Sequence, residues 1–186
     1  MKTYEIKTKI CGVEPGLLMH RFSSRDAAAL AGTSCKAGKV QPSPEEEARE
    51  SAYTLPDGEL YQPAEHIYQA MCKAGSQFQV KGRGKITFKT IVAGNLLILP
   101  EQIPHGTKSY EIDIRPVVIR ATRGRIMRAR PLLKEWSLEF TMKVLDADVL
   151  SSITLNEILW KAGESIGIGD YRPRFGRFTI KSFLTV

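Results

Sequence analysis

The segment IGIGDYRPRFGRFTI, residues 166–180, concentrates groups suited to binding phosphate. Gly167 and Gly169 would let a backbone approach an oxyanion closely, and Arg172, Arg174 and Arg177 each offer several fixed donors to phosphate oxygens. Tyr171 stands among them as a ring on which a base can stack, with Phe22, Tyr110 and Phe175 as further candidates. The motif is not a dinucleotide fingerprint, because it follows a helix-patterned stretch and opens a strand-patterned one. A glycine-terminated helix with solvated arginines has the same residue types, so a second basic feature must add weight. That feature is YEIDIRPVVIRATRGRIMRARPLLKE, residues 110–135, with Arg115, Arg120, Arg123, Arg125, Arg128 and Arg130 around a turn at Gly124. Arginines crowded on a hairpin repel one another unless an anion is near. Lys81, Arg83 and Lys85, around Gly82 and Gly84, form a third and smaller patch.

Composition agrees with an anionic partner without identifying one: 27 basic residues against 20 acidic leave a net charge of +7. Cys11, Cys35 and Cys72 are odd in number and far apart, which argues against a disulfide framework or a zinc ribbon and for a reducing cytoplasm. His20, His66 and His105 lie in different segments and lack metal-ligand spacing, and no cofactor motif stands out. The opening MKTYEIKTKI alternates polar and apolar residues rather than forming a signal peptide, and no later run has the length of a membrane span.

The elements that must position these groups follow from periodicity. Tyr4, Ile6, Thr8 and Ile10 alternate with lysines as a half-buried first strand. Residues 12–55 lose that pattern and are expected to be an inserted loop region, with a short helix capped at Ser43 and opened by Pro44. A helix is expected from Pro63 to Lys73, closing at Gly75, with Ile67, Ala70, Met71 and Ala74 toward the core. KGRGKITFKTIVAGNLLILP reads as a basic glycine-rich loop leading into a strand at 96–99. Leu138, Phe140, Met142 and Val144 mark another strand, and Leu155, Ile158, Leu159, Ala162 and Ile166 a helix with a capping box at Thr154 and Glu157. Phe178, Ile180, Ser182 and Leu184 alternate as a last strand. Without insertions the order is strand, helix, strand, strand, helix, strand. The expected class is α+β, a ferredoxin-like (RRM-like) βαββαβ core in a single domain over residues 1–186, with 110–135 inserted as a basic hairpin.

Two segments, YQPAEHIYQAMCKAG and GIGDYRPRFGRFTI, resemble the RAMP superfamily, the ferredoxin-like proteins that form RNA-binding backbone and processing subunits of CRISPR effector systems. Pro63 matches the proline that opens the first helix in that family, and Gly167, Gly169, Arg172, Arg174, Gly176 and Arg177 match its terminal RNA-contacting loop. The match departs at AEHIYQ, where the family has small residues, and at Phe175, where it has glycine. The resemblance implies an RNA-binding subunit that holds guide or single-stranded RNA through its phosphates, self-associates or joins other effector subunits, and uses residues 110–135 as a thumb over the RNA. It also implies a rival, since some members cleave RNA without metal. His20 and Asp26, in the loop after the first strand, and His66, on the first helix, stand where such chemistry would sit. A phage or plasmid single-stranded DNA-binding protein is a further alternative on the same basic surface.

Overall fold

The computed structural model describes residues 2–22, 42–118 and 124–186. In chain order its strands and helices are β1 (Tyr4–Gly12), β2 (Leu17–Leu18), α1 (Pro44–Ser51), β3 (Tyr61–Pro63), α2 (Ala64–Gly75), α3 (Phe88–Asn95), β4 (Leu96–Leu99), β5 (Gln102–Pro104), β6 (Glu111–Val118), β7 (Arg125–Leu133), β8 (Ser137–Val144), α4 (Ser152–Lys161) and β9 (Phe178–Thr185), with a π-helical turn at Ala162–Ile166. The architecture is α+β with antiparallel sheets and four helices among the described residues, compatible with the ferredoxin-like expectation.

The main sheet has the order β4-β8-β1-β9, every neighbouring pair antiparallel. Alternation places Ile6 and Ile10 of β1 with Leu138, Phe140, Met142 and Val144 of β8 on one buried face. Against that face pack Ile67, Ala70, Met71 and Ala74 of α2 and Leu155, Ile158 and Leu159 of α4. The other face is open. In β9 the register shifts opposite Lys9 and Ile10, so the strict alternation expected through Leu184 breaks. Beyond the bulge Phe183 packs on the core and Leu184 turns outward.

Several elements differ from expectation. Helix α4 is capped by Ser151, whose side chain accepts from the Thr154 N–H, so the expected Thr154 and Glu157 box does not form. Pro63 ends β3 and occupies the N-cap position of α2. Helix α3 replaces expected strand material: Phe88, Ile91 and Val92 pack on the core at helical spacing, and tertiary packing overrides the β-branched content of TFKTIV. Within 12–55, β2 pairs with β7, and α1 lies along the β6–β7 hairpin, so the described parts of this stretch brace the hairpin. At α1 the Ser43 expectation holds as a full capping box with Glu46.

Candidate nucleic-acid interface

The terminal loop begins where α4 widens into the π-helical turn, and Gly167, at φ +71°, donates its N–H to the Ala162 carbonyl at 2.8 Å. From there the backbone is tied inward: Ile168 N–H donates to Gly176 O, Gly176 N–H to Gly16 O and Asp170 N–H to Leu18 O, at 2.8–2.9 Å. Gly169 and Gly176 both have φ +75°. A Cβ on Gly169 would stand 2.5 Å from the Leu18 carbonyl oxygen, one on Gly167 2.9 Å from that of Phe175, and one on Gly176 would overlap the Ile168 carbonyl. These glycines therefore serve close contact within the protein, which corrects the expectation that Gly167 and Gly169 open the backbone to a phosphate.

The same loop meets the hairpin. Strands β6 and β7 pair from Glu111↔Leu132 to Val118↔Arg125, which sets Asp113 opposite Arg130 and Arg115 opposite Arg128 on one face. Like charges directly opposite destabilise a sheet, and each arginine here has a carboxylate beside it. Arg115 is held by Asp113, Arg128 donates to Glu47 of α1 at 2.8 Å, and Arg130 Nε lies 2.9 Å from Asp170 Oδ2 of the terminal loop. Arg130 is only 6% exposed, so it is corrected from a surface phosphate ligand to an internal tie between hairpin and loop. Above it the Arg115 guanidinium lies 5.4 Å from the Tyr171 ring centre and 4.6 Å from that of Phe175. Phe175 is buried, which removes it from the base-stacking candidates, whereas Tyr171 is 43% exposed. Tyr171 also holds φ +58°, a left-handed conformation unusual outside glycine, and thereby points its ring at the hairpin. The hairpin's other face is largely aliphatic: Ile112, Ile114, Val118 and Met127 are all exposed there, with Arg125 opposite Val118 at its end.

Beside Tyr171 opens a cleft of about 440 Å³ lined by Lys73, Ser165, Asp170 and Arg172. Lys73, from the last turn of α2, and Ser165, from the π-helical turn, are not singled out by sequence, because only folding sets them beside the loop. Arg172, Arg174 and Arg177 are exposed, and none forms an ion pair among the described residues. Arg125 is exposed at the hairpin end, while Arg120 and Arg123 lie outside the described residues. Lys81, Arg83 and Lys85 are exposed on a turn whose glycines, Gly82 and Gly84, are free of close neighbours.

His66 lies close enough to Arg172 to feel its charge: burial first, and then Arg172, lowers the His66 pKa. Its Nδ1 contacts Gln62 Nε2, and its ring meets Tyr53 edge-on with centres 5.5 Å apart. The Tyr53 hydroxyl donates to the His20 carbonyl at 3.4 Å, so the segments carrying His20 and His66 converge through one tyrosine. Asp26 lies outside the described residues. Among the described residues no group of three His, Cys, Asp or Glu could hold a metal ion, and no helix is long and apolar enough to cross a membrane.

No family model and no curated protein sequence matches the chain. In structure it is similar to a chain in the cryo-EM structure of the Type III-B Cmr-beta bound to cognate target RNA, with a TM-score of 0.56 at 11% identity. The match covers 100% of this chain and 61% of that one, so this chain spans about three fifths of its neighbour's length. At that identity the likeness shows a shared fold.

Proposed function

We propose that this chain is an RNA-binding, backbone-type subunit of RAMP-like fold in a CRISPR effector complex, gripping guide or single-stranded RNA through its phosphates and working beside other effector subunits. The sheet order β4-β8-β1-β9, with α2 and α4 on one face, is read as a βαββαβ core carrying the β6–β7 hairpin as an insertion. Likeness in fold to a chain of an RNA-bound Type III-B assembly favours this reading over a single-stranded DNA-binding protein. The observation that carries it is the cleft where Lys73 and Arg172 stand beside exposed Tyr171, at the junction of terminal loop and hairpin. Two cations with a hydroxyl and an adjacent stacking ring suit one phosphate and its base.

The test is RNA affinity over a salt series for Arg172→Ala combined with Arg174→Ala. If both side chains contact phosphates, the slope of log K against log salt becomes shallower by about 1.4 and affinity falls evenly across sequences. Wild-type affinity and slope in the double variant would defeat the proposal.

A second reading, a metal-independent endoribonuclease, is favoured by the nearness of His66 to Arg172. The Gln62 amide contact with Nδ1 orients the His66 ring, and Nε2 is the nitrogen left to exchange a proton with RNA. Specific cleavage of labelled RNA in chelator, abolished by His66→Ala, is the outcome that reading requires; intact RNA dismisses it.

A further inference from the structure

Tyr171 stands in a backbone conformation that must be imposed on it. At φ +58° a tyrosine is strained, and such strain persists where the surroundings hold it. The preceding Asp170 is tied twice, its N–H to the Leu18 carbonyl and its carboxylate to Arg130. Four residues later the Phe175 N–H donates back to the Tyr171 carbonyl at 3.3 Å. Two side chains then meet the ring itself. Phe175 lies with ring centres 6.1 Å apart and planes at 84°, and the Arg115 guanidinium of β6 lies 5.4 Å from the ring centre.

Arg115 is itself fixed. Its Nε and Nη2 donate to the two carboxylate oxygens of Asp113, its own strand neighbour two residues back. A bidentate pair sets the plane of a guanidinium as well as its place. The same group also lies 4.6 Å from the Phe175 ring centre, and its side chain is only 26% exposed. With its fork engaged by Asp113 and its plane between two rings, Arg115 is placed to hold Tyr171 rather than a phosphate.

The cleft beside Tyr171 is lined by residues of α2, the π-helical turn and the terminal loop, with neither Phe175 nor any residue of the hairpin among them. The side of the Tyr171 ring that meets Arg115 is therefore not the side that meets the cleft. One side is left for a base. A cation against an aromatic ring draws on its π electrons, so the free side is best matched to a large, electron-rich base. Stacking strength of this kind sets a base preference without hydrogen-bonded readout. A purine exceeds a pyrimidine in both respects.

We infer that Arg115 is a positioning residue that holds Tyr171 as a one-sided stacking platform, and that this platform makes the site favour a purine at one nucleotide. The role rests on the RNA-binding reading above and gives Arg115 no contact with RNA.

The experiment compares the affinity of the full chain for a uridine oligomer and for the same oligomer carrying one adenine, each over a salt series. Wild type should bind the adenine-bearing RNA about fivefold tighter. Tyr171→Ala should lose that preference, and so should Arg115→Gln, with the slope of log K against log salt unchanged in both. In the Tyr171→Ala background, Arg115→Gln should have no further effect on the preference. Asp113→Asn combined with Arg115→Gln leaves no unmatched carboxylate and should behave as Arg115→Gln does. Arg115→Lys keeps the charge and should keep part of the preference.

If Arg115→Gln, alone or with Asp113→Asn, retains the preference, the inference is overturned. A slope shallower by about 0.7 or more in those variants also overturns it, since Arg115 would then be a phosphate ligand or a brace for the whole loop. Wild type that binds both RNAs equally overturns it while leaving phosphate binding in place. Wild type that binds neither RNA overturns the RNA-binding reading, and the platform with it.

Discussion

His105 follows β5 and places its ring edge-on to Trp136, with ring centres 6.4 Å apart. Among the described residues neither ring nitrogen has a hydrogen-bond partner, and burial pushes the pKa down from 6.5 to about 4. Above pH 6.5 the imidazole is neutral in both folded and unfolded chains, and its contribution to stability is constant. Between pH 6.5 and about 4 the unfolded chain binds a proton that the folded chain refuses, so stability falls as the pH falls. Below that window both states are protonated and the loss stops growing. The whole shift corresponds to about 3 kcal/mol, a large share of the ~5–15 kcal/mol that holds a domain folded.

The perturbation that isolates this effect is His105→Phe. Phenylalanine keeps an aromatic ring against Trp136 and removes two unpaired nitrogens, each of a kind that costs about 1–3 kcal/mol when buried. An adjoining cleft of about 740 Å³, which His105 and Trp136 help to line, gives the larger ring room. Urea denaturation of both proteins at intervals from pH 7.5 to pH 4 supplies two stability curves, and their difference removes every other titrating group. The difference should be flat above about pH 6.5 and should then shift by ~1.4 kcal/mol per pH unit against wild type. Parallel curves over the whole range would refute the reasoning, since they would mean that the ring protonates equally well in both states.

Two glycines test whether the terminal loop is built for internal contact. Gly176→Ala drives a methyl group into the Ile168 carbonyl at φ +75° and should destabilise the protein by more than about 2 kcal/mol in urea denaturation. Gly82→Ala, also at positive φ but with nothing within 4 Å of the new methyl, should cost only the left-handed penalty of about 1 kcal/mol; equal costs would contradict the assignment. Arg130→Met should cost about 3 kcal/mol by leaving the Asp170 carboxylate unmatched. Adding Asp170→Asn should recover part of that loss, and no recovery on the same denaturation curves would show that the two groups do not act as a pair.

Period alone made β1, β8, α2 and α4 legible, because each buries one face along at least eight residues. Strands β2, β3 and β5, of two or three residues, are too short to show a period, and they exist because neighbouring segments need their backbone groups paired. The candidate site was legible in part. The exposed arginines of the terminal loop stand out by composition, but the partners that internalise the hairpin arginines do not. Glu47 lies 81 residues from Arg128, and Asp170 and the rings of Tyr171 and Phe175 reach the hairpin from the far end of the chain. Glycine type signals freedom without saying what needs it, and at Gly169 and Gly176 the neighbour is the protein's own backbone.

The internal matching of arginines changes what the basic surface demands. By composition an arginine-rich hairpin calls for an external anion, yet Arg115, Arg128 and Arg130 are each met by a carboxylate of the chain itself. Self-repulsion is thus relieved along the described stem without nucleic acid, and the cations left open to an anion are Lys73, Arg125, Arg172, Arg174 and Arg177, which are in no ion pair among the described residues. If these alone contact single-stranded RNA, the slope of log K against log salt is about −3.5. Adding Lys81, Arg83 and Lys85 steepens it to about −5.6. Charge-neutralising changes at Lys81, Arg83 and Lys85 therefore decide how far the RNA runs: a slope unchanged by them confines it to the junction of loop and hairpin, and a slope shallower by about 2 extends it across the turn before α3. A wild-type slope near zero would remove phosphate from the argument altogether.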